Sequence, residues 1–142
     1  MRTKYLLDTN ILVHHQRGHF DIEAYLNEHD ISLDDCYVSE ITVIEMKVGE
    51  IILKKKGYQF SVTARKMLSN FTVLPISPAI DMFVKEKCRL QFAGTRMDNN
   101  FDLLIACTSV VNDMVMVTEN VKDFKNVKGI KIENWIERET IQ

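Results

Sequence analysis

Short apolar runs alternate along the chain with longer segments in which apolar residues recur every three to four positions. Each run is about three residues long, which suits a buried strand, and each longer segment suits a helix that covers it. Parallel strands need such crossover helices, so the pattern predicts an α/β fold with a parallel sheet covered on both faces. The strand-like runs are residues 5–7, 36–38, 72–74, 115–117 and, as an alternating edge strand, 130–132.

The helical segments have recognisable ends. Ser39 is a predicted N-cap for a long helix. Ser77 and Pro78 predict another helix start, with Ser as the cap and Pro in the first helical position. The predicted helices run from Ile11 to Gly18, over residues 20–29, from Ser39 to residues 54–57, over residues 60–69, from Ser77 to about Leu90, and over residues 101–111. In the long helix, apolar residues at helical spacing predict one buried stripe: Ile41, Ile44, Val48, Ile51 and Ile52.

Length, composition and charge bound the kind of protein. A chain of 142 residues with 46% hydrophobic residues can bury one continuous core, so we predict a single domain over residues 1–142. No run approaches the roughly 18 consecutive apolar residues of a membrane span, and the first residues lack a signal-peptide pattern, which predicts a cytoplasmic protein. A formal net charge of −2 disfavours a broad basic surface, so a nucleic-acid substrate would have to be held locally.

The cysteines show no pairing pattern. Cys36, Cys88 and Cys107 are odd in number, far apart and set among apolar residues, which disfavours both a disulfide framework and a CxxC motif. We therefore expect three buried thiols.

Three acidic residues stand out by position. Asp8 lies between the first strand and a helix, where open α/β sheets place functional side chains, although the position also suits a simple N-cap. Glu45 falls on the apolar stripe of the long helix, where a carboxylate needs either a cation or a place at the stripe's edge. Asp102 begins the most apolar helix, where the helix dipole alone would also favour it. Asp98, in the loop before it, suits a cap or turn residue, in competition with the asparagines that follow it.

Gathering these acids at the carboxyl-end edge of the sheet would raise their energy through repulsion and desolvation, and a divalent cation would resolve that conflict. Oxygen ligands without a His or Cys cluster favour Mg²⁺ or Mn²⁺ over zinc. The histidines crowd the N-terminal quarter of the chain, but the absence of an HExxH motif disfavours a zinc site there.

Four segments, in order along the chain, carry the most specific pattern. They are Leu6-Leu7-Asp8-Thr9-Asn10, Glu45-Met46-Lys47-Val48-Gly49, Asp102-Leu103-Leu104-Ile105-Ala106, and Val117-Thr118-Glu119-Asn120 continuing to Phe124. They resemble the four motifs of PIN-domain nucleases, and most closely those of VapC-type toxins from bacterial and archaeal toxin-antitoxin pairs. The similarity extends through residues 129–135, so it covers essentially the whole chain.

The resemblance implies a three-layer α/β/α PIN-like domain with a central parallel sheet of about five strands, and a Mg²⁺- or Mn²⁺-dependent site that hydrolyses RNA. It implies that Asp8 and Asp102 bind the metal directly and that Glu45 completes the acidic cluster, directly or through water. The position that often holds a fourth acid is Asn120 here, as in many toxin-like members, which weakens the negative charge of the site. The resemblance implies Asn120 as a catalytic residue together with Asp8, Glu45 and Asp102.

The same resemblance implies supporting residues and partners. Thr9, Asn10 and Thr118 resemble the polar residues that orient the acids. An RNA substrate, an antitoxin protein and a tendency to form a homodimer are implied as partners. Arg96 and the basic runs in residues 54–56 and 85–89 are candidate phosphate contacts, although solvated helix faces explain such runs equally well.

Other classes fit the residues less well. A haloacid-dehalogenase-type phosphotransferase needs a second Asp two positions after Asp8, where this chain has Asn10, and a dinucleotide-binding domain needs a glycine-rich turn after the first strand. The serious alternative is a catalytically silent PIN-like module that binds RNA or acts as a scaffold. The presence of all three acids favours the enzyme.

Overall fold

A parallel sheet forms the centre of the protein. The computed structural model describes residues 2–136, and within them five strands pair in parallel in the order β3-β2-β1-β4-β5. Residues 1 and 137–142 of the predicted domain lie outside the described residues. The strands are β1 (Tyr5–Leu7), β2 (Cys36–Ser39), β3 (Thr72–Leu74), β4 (Val115–Val117) and β5 (Ile132–Glu133).

Helices connect the successive strands. Short 3₁₀ turns at Leu33–Asp35 and Ser77–Ala79 also lie in these connections. The helices are α1 (Thr9–Gln16), α2 (Ile22–Glu28), α3 (Glu40–Lys55), α4 (Ala64–Leu68), α5 (Ile80–Phe92), α6 (Asn100–Val111) and α7 (Val121–Phe124).

Neighbouring residues of β1 pack on opposite faces of the sheet. Leu7 belongs to a core cluster with Ile11 of α1, whereas Leu6 belongs to a separate cluster with Leu103 of α6. This alternation follows from the two-residue period of a strand, and it requires helices on both faces. The predicted three-layer α/β/α architecture is therefore confirmed.

The strand order reverses beside β1. The first crossover leads from β1 to β2 on one side, and the chain later crosses to β4 on the other side of β1. Ligand sites of open α/β sheets lie at such a reversal, beyond the carboxyl ends of the strands. Asp8 and Thr118 directly follow β1 and β4, and the Asp8 backbone N–H donates to the Val117 carbonyl at 2.9 Å.

Several predicted boundaries shift in the structure. Ser39 caps α3 as predicted, with its Oγ accepting from the Ile41 N–H at 3.0 Å. The predicted Ser77 cap is wrong, because Ser77–Ala79 form a 3₁₀ turn without a side-chain cap; Pro78 lies in the first turn as expected, and the α-helix begins at Ile80. The predicted helix over residues 60–69 shortens to Ala64–Leu68, and the predicted edge strand over 130–132 shifts to Ile132–Glu133.

The predicted buried stripe of α3 is wrong in part. Ile41 is buried together with Thr42 and Met46, but four of the predicted residues are exposed: Ile44, Val48, Ile51 and Ile52. The four exposed residues recur at helical spacing, so they share a face of α3 that points away from the sheet, while Thr42 and Met46 lie on the face that packs inward and Ile41 is buried in the first turn.

The cysteines only partly match the expectation. Cys36 and Cys107 are buried, and burial raises the pKa of each thiol to about 12. Cys88 lies on the outer side of α5 and is exposed, so the expectation of three buried thiols is wrong for this residue. None of the helices described in residues 2–136 has the length and apolar character needed to cross a membrane.

Candidate active site

Asp8 lies at the junction of β1 and α1 and is only 4% exposed. Its Oδ1 accepts a hydrogen bond from the Thr9 N–H at 2.8 Å, and its Oδ2 accepts one from the Thr118 hydroxyl at 2.9 Å. Burial raises the pKa of Asp8 to about 6; the two hydrogen bonds oppose this rise, and the charges of Asp102 and Glu45 add to it. Asp8 is thus both the N-cap of α1 and a desolvated carboxylate at the strand reversal.

Glu45 is half-buried on α3 and faces the first acid through its neighbour Thr9. The Thr9 hydroxyl lies 2.7 Å from Glu45 Oε1 and 3.0 Å from the Thr42 hydroxyl. Because Glu45 accepts only, Thr9 donates to it and Thr42 donates to Thr9. The Thr9 hydroxyl therefore orients this carboxylate.

Asp102 lies in the first turn of α6 and is half-buried. Burial raises its pKa, and the charges of Glu45 and Asp123 raise it further. Asp8, Glu45 and Asp102 thus lie close enough for their charges to act on one another, although they are separated by up to 94 residues in the chain.

The loop before α6 holds Asp102 in place. Asn99 is the N-cap, and its Oδ1 accepts from the Phe101 N–H at 3.0 Å and the Asp102 N–H at 3.2 Å. Asp98 is exposed and its carboxylate lies 3.2 Å from Arg96. Of the residues considered for the cap, Asn99 takes the position and Asp98 stays in the turn.

Asp123 is a member of the acidic group that sequence reasoning missed. It lies on α7 and, with Asp102, lines an open cavity of about 430 Å³ whose walls also include Arg96 and Lys122. The signal was present in the fourth segment, because Asp123 follows Asn120 by three residues, close to one turn of helix. Asn120 itself is exposed and stays a predicted catalytic residue.

The polar residues of the first and fourth segments form one hydrogen-bonded group. Asn10 Nδ2 donates to Thr118 Oγ1 at 3.2 Å, and Asn10 Oδ1 accepts from the Glu119 N–H at 3.4 Å. The Asn120 N–H also donates to Thr118 Oγ1, at 3.1 Å. These contacts join the carboxyl ends of β1 and β4 at the place where Asp8 lies.

The donor set of this site suits a hard cation. Its oxygen atoms come from carboxylates and hydroxyl groups, which Mg²⁺ and Mn²⁺ prefer over the nitrogen and sulfur ligands of zinc. Within residues 2–136, no three His, Cys, Asp or Glu side chains are already close enough together to coordinate a metal ion. Burial, and to a smaller extent the charges of neighbouring carboxylates, raises the pKa values of Asp8 and Asp102, and a bound cation would oppose both effects.

Comparison with known proteins gives the class of the fold. The PIN domain family matches residues 5–130, and the chain belongs to that family. Within it, the chain is 30% identical over 134 residues to ribonuclease VapC2 of Rickettsia felis, covering 92% of this chain and 97% of that protein. It is also 30% identical to ribonuclease VapC2 of Haemophilus influenzae, covering 94% of this chain and 98% of that protein.

A solved structure shows the same fold. The crystal structure of VapBC2 from Rickettsia felis, bound to a DNA fragment from its promoter, contains a chain that superposes with a TM-score of 0.76 at 25% identity. The match covers 94% of this chain and all of that one. The PIN fold and the VapC resemblance predicted from the four segments are therefore confirmed.

Proposed function

We propose that this protein is a metal-dependent endoribonuclease and the toxin component of a toxin-antitoxin pair. The observation that carries the proposal is that Asp8, Glu45 and Asp102 meet at the strand reversal of a PIN fold, close enough for the charge of one acid to raise the pKa of another. Relatives named ribonuclease VapC, matched over nearly their full length, support RNA as the substrate.

The proposed metal ligands are Asp8, Glu45 and Asp102, with Mg²⁺ or Mn²⁺ as the ion. When bound, such an ion lowers the pKa of a coordinated water and offsets charge on the phosphate that is attacked. The protein's own part is to hold the acids in place. The Thr9 N–H and the Thr118 hydroxyl stabilise the ionised form of Asp8, and the Thr9 hydroxyl orients Glu45.

The cavity beside Asp102 is the proposed path for the RNA backbone. Arg96 and Lys122 line it and offer positive charge next to the acids, which suits local phosphate contacts in a chain of net charge −2. Of the basic runs considered from the sequence, residues 54–56 lie at the end of α3, and residues 85–89 lie on α5. Neither run contributes to this cavity.

Antitoxin binding and homodimer formation are part of the proposal. The solved relative is a VapBC2 complex, and its toxin-like chain matches this one over nearly its whole length. The outward apolar side chains of α3 and those of α5 form candidate interface surfaces. The exposed apolar side chains of α5 are Ile80, Val84, four residues later, and Phe92, eight residues after that.

A cleavage assay with matched variants tests the proposal. Structured RNAs are incubated with the protein in Mg²⁺, Mn²⁺ or EDTA, together with Asp8→Asn and the control Asp113→Asn. Asp113 is an exposed carboxylate paired with Lys131, so the control makes the same chemical change away from the acids. Cutting that requires a metal, survives in Asp113→Asn and disappears in Asp8→Asn is the expected result.

The alternative predicts a different outcome of the same assay. A catalytically silent PIN-like module would bind RNA equally well as wild type and as Asp8→Asn, with or without metal, and would cut none of the substrates. That result would overturn the proposed activity.

A further inference from the structure

A short contact between His14 of α1 and Glu119 lies next to the hydrogen-bonded group that contacts Asp8. His14 Nε2 lies 2.5 Å from Glu119 Oε2, and both side chains are about four-fifths buried. Glu119 immediately follows Thr118, and His14 follows Asn10 by one turn of α1. One face of α1 therefore contacts the segment after β4 at two neighbouring residues, Asn10 and His14.

The donors and acceptors in this group allow one arrangement. The Glu119 N–H can only donate, so the atom of Asn10 that faces it is the carbonyl oxygen, and the Asn10 amide nitrogen faces Thr118. Thr118 Oγ1 then receives two hydrogen bonds, from Asn10 Nδ2 and from the Asn120 N–H. The single hydroxyl proton of Thr118 is left for Asp8 Oδ2.

The direction of this hydroxyl matters for Asp8. A donated hydrogen bond favours the ionised carboxylate, and it opposes the burial that raises the pKa of Asp8. If the segment after β4 moved away from α1, Asn10 could rotate its amide and Thr118 could turn its proton elsewhere. Asp8 would then lose a contact that orients it and keeps it ionised.

We propose that the contact between His14 and Glu119 anchors the Asn10–Thr118–Asp8 hydrogen-bond chain, so that His14 and Glu119 are positioning residues for the acidic site. The inference rests on the proposed metal-dependent activity. It gives a role to one of the crowded histidines that is different from zinc binding.

The geometry explains why a histidine suits this place. His14 Nε2 lies 2.5 Å from a carboxylate oxygen of Glu119, and the imidazole is short and rigid compared with the side chains of Lys or Arg. His14 also contacts His19: the two rings lie 5.9 Å apart, and the His14 backbone carbonyl accepts from the His19 N–H at 2.9 Å. The pair can thus fix the position of residue 119 closely.

Four variants separate positioning from simple stability. His14→Ala removes the imidazole and its contact with Glu119, and His14→Gln keeps a polar N–H group at a similar reach. Glu119→Gln keeps an acceptor without the charge. Gln16→Ala is the matched control, because Gln16 also joins α1 to a distant segment, through the Val62 carbonyl at 3.1 Å, and that contact is not part of the hydrogen-bonded group around Asp8.

The first readout needs neither metal nor RNA. Hydrogen exchange of the Glu119 and Asn120 amides, which donate to Asn10 and Thr118, should be faster in His14→Ala and unchanged in Gln16→Ala and His14→Gln. The second readout is Mn²⁺ affinity by calorimetry together with kcat and KM for RNA. His14→Ala should lower metal affinity or kcat about 10-fold, with KM little changed, and His14→Gln and Glu119→Gln should avoid most of that loss.

The outcomes are distinct from those of the proposed function. Wild-type protein that binds no Mn²⁺ and cuts no RNA would overturn the proposed activity. Active wild-type protein with His14→Ala equal to it in amide exchange, kcat and metal affinity would overturn only the anchor. An equal loss in Gln16→Ala, or a full loss in His14→Gln, would also overturn it, because either result means that α1 acts through stability alone.

Discussion

The Thr9 hydroxyl lies 2.7 Å from Glu45 Oε1, so the residue directly after Asp8 orients the second acid. The Thr9 backbone N–H meanwhile donates to Asp8 at 2.8 Å. One residue thus contacts two carboxylates that come from a strand end and from the middle of α3. Thr9 therefore links the two acids, through its backbone N–H to Asp8 and through its hydroxyl to Glu45.

Replacing Thr9 should weaken the site without unfolding the protein. Thr9→Val keeps the shape and the backbone N–H but removes the hydroxyl, so Glu45 loses its donor. We expect Mn²⁺ affinity or kcat to fall about 10-fold, as is usual when a residue that orients a metal ligand is removed. Thr9→Ser, which keeps the hydroxyl, is the control. Calorimetry measures the Mn²⁺ affinity and RNA cleavage measures kcat. Equal values for Thr9→Val and Thr9→Ser would show that the Thr9 hydroxyl is dispensable.

The pKa of Asp8 predicts how stability depends on pH in the metal-free protein. Its folded value is about 6 and its unfolded value is near the ordinary 3.8, so the folded state binds more protons between these limits. The contribution of Asp8 to stability is therefore fully present below about pH 4 and is lost as the pH rises through about 6. The loss is on the order of 2–3 kcal/mol.

The measurement is urea unfolding of the wild type and of Asp8→Asn in EDTA, at several values between about pH 4.5 and 7.5. It gives the difference in free energy of unfolding between the two proteins at each pH. Asparagine has no charge to desolvate, so Asp8→Asn should gain stability relative to wild type as the pH rises. Groups distant from Asp8 titrate equally in both proteins and cancel. A difference that stays constant across the range would contradict a raised pKa at Asp8.

The parts of this structure that the sequence predicted depend on neighbours in the chain. Asp8 directly follows an apolar strand, and Ser39 directly precedes an apolar helix, so local patterns were enough to place both. Asp102 was likewise placed by the helix that it begins. The regular alternation of strands and helices then predicted the parallel sheet, and the four ordered segments predicted the PIN fold.

What the sequence could not predict depends on packing between distant segments. Asp123 lies on the four-residue helix α7, which is too short to be stable alone and is held by the fully buried Phe124. The contact between His14 and Glu119 joins residues 105 positions apart. Periodicity placed apolar residues on α3, but it could not distinguish a face that covers the sheet from one that faces outward.

The outward face of α3 leads to a prediction about assembly. Ile51 is 70% exposed, and three further apolar residues of α3 are exposed near it: Ile44, Val48 and Ile52. If this face joins two copies of the chain, Ile51→Lys should convert a dimer to a monomer in light scattering at the same concentration, since a buried lysine without a partner opposes association. The fold should persist, because Ile51 is not part of the core.

Val73→Lys is the matched control for this substitution. Val73 is 41% exposed on the edge strand β3, and the change in charge is the same. A dimer that survives Ile51→Lys, or a loss of dimer in both variants, would show that α3 does not form the interface.

Glu86 provides a prediction about stability rather than chemistry. It is buried on α5, and its Oε1 and Oε2 each accept from Arg89 at 2.8 Å, while Oε2 also accepts from the Lys128 N–H at 3.0 Å. Arg89 donates in turn to the Asn126 carbonyl at 2.8 Å. The pair therefore ties α5 to the segment that follows α7.

Glu86→Ala should lower the free energy of unfolding by about 2 kcal/mol, because it leaves the Lys128 N–H without its acceptor and removes the partner of Arg89. Hydrogen bonds from Arg89 lower the pKa of Glu86, so its contribution is present near neutral pH and is lost as the pH falls through that lowered pKa. Urea unfolding at neutral pH measures this loss of free energy, and Asp81→Ala, which removes an exposed acid from the same helix, is the control.

Because none of these hydrogen bonds involves the three acids of the site, kcat per folded molecule of Glu86→Ala should equal that of the wild type. A fall in kcat with unchanged unfolding would mean that Glu86 acts on the site instead of on the fold.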